Sequence, residues 1–142
     1  MNESISDSEL LRRAIQSTVR AREVAATRKG WEFMGYVGAA LVTDRGNVFT
    51  GINLNLYCGI GFCAEHSAVA EMVRSGETRI TKIVATTAEG TIIPPCGRCR
   101  ELLYQIDESN LEAMVLIGND ERRPLRELLP YNWQPRFDKP LA

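Results

Sequence analysis

The 142-residue chain has no hydrophobic run near the roughly 20 residues that a membrane-crossing helix needs, so no span is expected. It has no surplus of either charge: 17 Lys and Arg stand against 18 Asp and Glu, a formal net charge of −1. Nucleic-acid binders carry a basic field, and its absence counts against that class of partner. The opening MNESISDSELLRRA is polar and acidic and lacks the apolar centre of an export signal, so a cytoplasmic location is expected. No repeat, low-complexity tract or linker interrupts the sequence, which predicts one domain over 1–142. Histidine occurs once, as His66, so no site built from several histidines is available.

What is present is ordinary for a globular core, 44% hydrophobic and 25% charged residues, plus four cysteines: Cys58, Cys63, Cys96 and Cys99. In a chain with no export signal these thiols stay reduced, and their spacing points to metal binding or catalysis. Apolar periodicity predicts a helix over 6–28, with Leu10, Leu11, Ala14, Ile15, Thr18 and Val19 on its inner stripe and Ser6 or Ser8 as cap. GYVGAALVT (35–43) and NVFTGIN (47–53) read as a hairpin turned by DRG. The first of these is nearly all apolar, as in a strand covered on both faces. A helix is expected over 63–75, with Ala64, Ala68 and Met72 inward, then a strand over 81–88. Pro94 and Pro95 precede a helix starting GRCRELLYQID; a strand (113–119) and a short helix or turn (125–130) follow. The pair Arg122 and Arg123 reads as a solvated turn. This order predicts an α/β fold whose β-α-β stretches make part of the sheet parallel.

Chemistry concentrates at two helix starts. Cys96 and Cys99 form P-C-x-x-C, and Cys63 opens the preceding helix. Helix N-termini favour thiolate over thiol, and thiolate is the form that binds zinc. Set side by side, the two starts bring three thiolates together, leaving the fourth tetrahedral position of a zinc ion open for water. Glu65, two residues past Cys63, is then placed to move a proton rather than to bind metal. A glutamate so placed, together with P-C-x-x-C, is a zinc deaminase signature. The competing arrangement is a closed structural site in which Cys58 is the fourth sulfur, but it leaves Glu65 without a role.

On these residues the sequence resembles the cytidine deaminase family in its small three-cysteine form. The matching stretches are VGAAL (37–41), Gly51 to Asn53, CAE (63–65), PCGRCRELL (95–103) and Leu128 to Pro130 with Trp133, in family order. The resemblance implies a three-layer α/β/α sandwich with a mixed sheet of about five strands. The catalytic core would cover 35–133, with a tail over 134–142. It implies Cys63, Cys96 and Cys99 as Zn2+ ligands and Glu65 as proton shuttle. Asn53, Asn55 and Ala64 are expected to meet a nucleoside substrate, such as one handled in pyrimidine salvage. A homo-oligomer, tetramer or dimer, is expected, with Trp133 near a position whose aromatic reaches a neighbouring subunit's site.

Three departures from the family pattern stand out. Asn55 replaces the acid that usually follows Asn-x and helps hold ribose; an amide bonds a hydroxyl without charge assistance. Gly35 replaces a phenylalanine, with Phe33 and Tyr36 as candidate substitutes. His66 replaces an arginine that offsets thiolate charge, leaving Arg98, Arg100 or a protonated His66 for that task. The missing acid and PCGRCR also give some likeness to blasticidin S deaminase, which widens the expected substrates to modified cytosines.

Overall fold

The structure is a computed structural model that describes residues 4–133. The tail expected over 134–142 lies outside the described residues. Ser6 caps α1 (Asp7–Ala25), its hydroxyl accepting from the backbone N–H of Glu9. β1 (Val37–Thr43) and β2 (Val48–Ile52) form the expected hairpin, followed by a short 3-10 turn at Tyr57–Gly59. Then come α2 (Ala64–Arg74), β3 (Ile80–Thr87), β4 (Ile92–Ile93), α3 (Gly97–Ile106), β5 (Met114–Gly118), β6 (Glu121–Pro124) and α4 (Leu125–Leu128).

The strands form one mixed sheet in the order β2-β1-β3-β5-β6, with β4 paired to β3. Among the described residues only β3 and β5 run parallel, joined through α3. Two strands exceed expectation. β4 is too short to show a periodic signal. β6 holds Arg122 and Arg123, read above as a turn; its backbone pairs with β5 while the two arginine side chains stay in solvent.

β1 explains the layering. Six of its seven residues are buried, and successive side chains face opposite ways. Ala40 and Val42 pack with Leu10, Ala14, Val84 and Leu116 on the α1 side. Ala39 and Leu41 pack with Ala64, Ala68, Met72, Ile83, Leu103 and Val115 on the α2–α3 side. The α/β/α sandwich follows. The inner stripe of α1 is narrower than expected: Leu10, Ala14 and Thr18 are buried, but Val19 is 48% exposed.

Gly51 sets the spacing of α2 on β2. A Cβ there would stand 2.0 Å from Ser67 Oγ and 2.4 Å from the Ala68 nitrogen. The Ser67 hydroxyl in turn accepts from the Ile52 N–H at 2.9 Å. On the other face Ser17 Oγ donates to the Gly51 carbonyl at 3.2 Å. Backbone and helix thus touch with nothing between, which holds the start of α2 at one edge of the sheet.

Candidate active site and metal centre

Cys63 is the residue before α2 and Cys96 the residue before α3; both have extended backbone. Neither side chain caps its own helix, so both sulfurs are free to turn toward each other. Cys99, one turn into α3, is fully buried. The Cys63 and Cys96 sulfurs lie 3.6 Å apart, those of Cys96 and Cys99 3.5 Å apart, and all three fall within 4.8 Å of one another. A tetrahedral ion with Zn–S bonds of about 2.3 Å needs sulfurs about 3.8 Å apart. The donor set and its spacing therefore fit zinc.

Among the described residues this group has three members. Cys58 is exposed in the turn before α2, with φ +61°, and stands outside the group. The closed four-sulfur alternative is not formed.

Burial raises the Cys63 thiol, with the neighbouring Cys96 adding to the effect. Burial likewise pushes Cys99 far up. Cys96 also suffers from burial, yet the backbone N–H groups of Cys99 and Arg98 and the neighbouring thiols carry it below its ordinary value. The start of α3 is the part of the centre that favours sulfur as an anion, as a helix N-terminus should.

Glu65 lies in the first turn of α2, 5% exposed, and burial raises its carboxyl above the ordinary range. It lines the same cavity of about 420 Å³ as Cys63 and Cys96. Ala64, Asn53, Asn55 and Arg98 line that cavity as well. Asn55 and Arg98 are exposed at its rim, whereas Ala64 is fully buried.

His66 places Nδ1 3.7 Å from the Cys99 sulfur. Burial, then the charge of Arg98, moves its pKa below the ordinary imidazole value. Arg100 donates to the Pro95 carbonyl at 2.8 Å and the Leu128 carbonyl at 3.1 Å, tying α3 to the end of α4. Trp133 is 62% exposed and does not line the cavity; its backbone N–H donates to the Glu101 carboxylate at 2.6 Å.

Phe33 and Tyr36 do not replace the missing phenylalanine within this chain. Their rings pack edge to face at 6.0 Å, away from the cavity wall. Phe62, Val37, Ile93 and Pro94 form the apolar wall. Sequence reasoning passed over Phe62, although its place immediately before Cys63 was a usable signal.

The family described as the cytidine and deoxycytidylate deaminase zinc-binding region matches residues 6–115. A cytidine deaminase of Mycobacterium tuberculosis is 38% identical over 96 residues, covering 66% of this chain and 69% of that relative. A probable cytidine deaminase of Dictyostelium discoideum is 40% identical over 96 residues, 66% of this chain and 65% of the relative. The crystal structure of cytidine deaminase from Mycobacterium tuberculosis aligns with a TM-score of 0.75 at 27% identity, covering 92% of this chain and 99% of that one.

Proposed function

Since the chain belongs to the cytidine and deoxycytidylate deaminase zinc-binding family, and is a hydrolytic deaminase with zinc as cofactor, we propose that it converts a cytidine-like aminopyrimidine nucleoside to the uridine analogue and ammonia. The observation that carries this reading is a buried carboxyl, Glu65, in the cavity lined by Cys63 and Cys96, two members of the three-sulfur cluster. Cys63, Cys96 and Cys99 would hold the ion. When bound, zinc supplies Lewis acidity that makes water a nucleophile near neutral pH.

The chain's own residues do the rest. Glu65 takes a proton from the attacking water as its oxygen bonds to the ring carbon bearing the amine. The same carboxyl gives that proton to the adjacent ring nitrogen. It then transfers the second proton to the exocyclic amine, and the carbon–nitrogen bond breaks to release ammonia. A carboxyl whose pKa burial has raised is suited to both halves of this exchange. The wall of Val37, Phe62, Ile93 and Pro94 suits a flat pyrimidine, and Ala64 adds the close backbone of the α2 start.

A second reading, a deaminase of blasticidin S or another modified cytosine, is favoured by one observation: the rim carries Asn55 where a ribose-holding acid is usual. An ammonia-release screen over cytidine, deoxycytidine, 5-substituted cytidines and blasticidin S decides between them. The nucleoside reading expects cytidine or deoxycytidine to be the best substrate. Turnover of none of these would overturn both. We further propose a homo-oligomer, a tetramer or a dimer, working in a reducing cytoplasm. Exposed Tyr57, Ile60 and Trp133 support the assembly. Light scattering showing a monomer would refute it.

A further inference from the structure

The cavity has an acidic inner end and a mouth of the opposite character. Glu65, 5% exposed, marks the inner end. The wall beside it is apolar, and Asn53 and Asn55 add polar groups without charge. Among the described residues one charged side chain stands at the mouth: Arg98, exposed in the first turn of α3. A ring that reaches Glu65 must leave its bulkier substituents at that mouth.

Arg98 differs from most arginines of the chain, which are already engaged. Arg22 donates to the carbonyls of Glu32 at 2.8 Å and Met34 at 3.0 Å. Arg100 is held by the carbonyls of Pro95 and Leu128. Arg12 and Arg13 share Glu9, at 2.7 and 2.9 Å. Among the described residues the Arg98 guanidinium bonds no carboxylate, carbonyl or sulfur, although it stands between two of the cysteines in sequence. It therefore fastens nothing in the fold. The space next to it is open as well, since a Cβ at Gly97 would meet no atom within 4 Å. A guanidinium with free donors and room around it is a ready partner for an oxyanion, which it can meet through two parallel hydrogen bonds.

We infer that Arg98 is a specificity-determining residue that favours aminopyrimidine nucleosides carrying an oxyanion, a carboxylate or a phosphate, on the sugar. The inference rests on the nucleoside deaminase reading and narrows its substrate class. Charge ranks the two oxyanions. A phosphate monoester carries about −1.5 to −2 at neutral pH, and among the described residues no second cation lines the mouth to meet it. A carboxylate carries a single charge, which one guanidinium balances. The acidic inner end also opposes a dianion more than a monoanion. The carboxylate is the better match.

The test compares cytidine, cytidine 5′-monophosphate and cytidine-5′-carboxylic acid, in which the sugar's hydroxymethyl is oxidised to a carboxylate. Wild-type protein should show a higher kcat/KM on the carboxylate than on cytidine. Arg98→Gln should lower that ratio roughly tenfold, mainly through KM. Arg98→Lys keeps the charge without the paired donors and should lose only part of the ratio; it serves if the glutamine variant fails to fold. Rising salt should shrink the wild-type ratio and leave that of Arg98→Gln nearly level. A preference confined to the monophosphate would support the inference and assign the oxyanion to phosphate. A wild-type preference for cytidine over both anions would overturn it. So would an equal loss on all three compounds in Arg98→Gln, which would make Arg98 a counter-charge to the sulfurs. If wild-type protein deaminates none of the three, the deaminase reading fails on its own. Calorimetric titration of the zinc-loaded protein with the same compounds then decides: tighter binding of an anion that Arg98→Gln removes supports the inference, and absent or charge-indifferent binding overturns it.

Discussion

The two faces of the sheet are built from the same strands and do different work. Toward α1, Ala40, Val42, Val84 and Leu116 meet Leu10 and Ala14, and the helix lies flat across them. Its polar fastening is structural: Asp7 pairs with Lys82 at 2.6 Å and with Arg122 at 3.2 Å. Toward α2 and α3, the helices also pack through apolar residues, yet each brings its N-terminus and a cysteine to one edge. An apolar stripe binds a helix to a sheet along its length, but only a helix start offers unsatisfied N–H groups to an anion. The orientation of two helix starts, more than the composition of either face, separates a supporting layer from a chemical one.

The largest break in that comparison should come from the metal. Purified protein should hold about one zinc ion per chain, and stripping it with a strong chelator should abolish activity, with recovery on adding zinc back. Elemental analysis finding no zinc after chelator-free purification would remove the centre. Next in size is Glu65→Gln. It should lower turnover by roughly two to four orders of magnitude while zinc content and melting temperature hold, because the amide cannot carry the proton. Retained turnover would take Glu65 out of its role. On the opposite face, Leu10→Ala should destabilise the fold by about 2–5 kcal/mol through the lost contacts and the cavity left behind. The folded fraction should keep its kcat/KM, which denaturant melts paired with assays would check. The smallest effect belongs to Ser6→Ala, about 1 kcal/mol from the lost cap of α1. A change in zinc affinity in either α1 variant would show that the two faces are coupled.

Much of this division could be read from the chain. The nearly unbroken apolar run of GYVGAALVT announced a strand covered twice, and the spacing of Cys63, Cys96 and Cys99 announced a sulfur cluster once two helix starts were set together. What stayed hidden depends on distant partners. Arg122 and Arg123 look like a solvated turn because their side chains are solvated; the strand lies in backbone pairing that side chains do not report. Arg100 reads only as a nearby charge, and its bonds to the carbonyls of Pro95 and Leu128 appear once α4 is in place. Gly35 reads as the start of a strand, whereas it takes a left-handed turn packed closely against Ala21. The Asn53 carboxamide accepts from the Val37 N–H and donates to the Phe33 carbonyl, sixteen and twenty residues away, which no local pattern discloses.

The bare contact at Gly51 carries a practical consequence. With α1 and α2 pressing on the same peptide from opposite sides, the sulfur at the head of α2 has no slack relative to the sheet. Redesign for bulkier substrates should therefore recut the exposed loop across the cavity mouth and leave this glycine alone. A single added methyl there would be felt first as a displaced metal ligand rather than as a looser core.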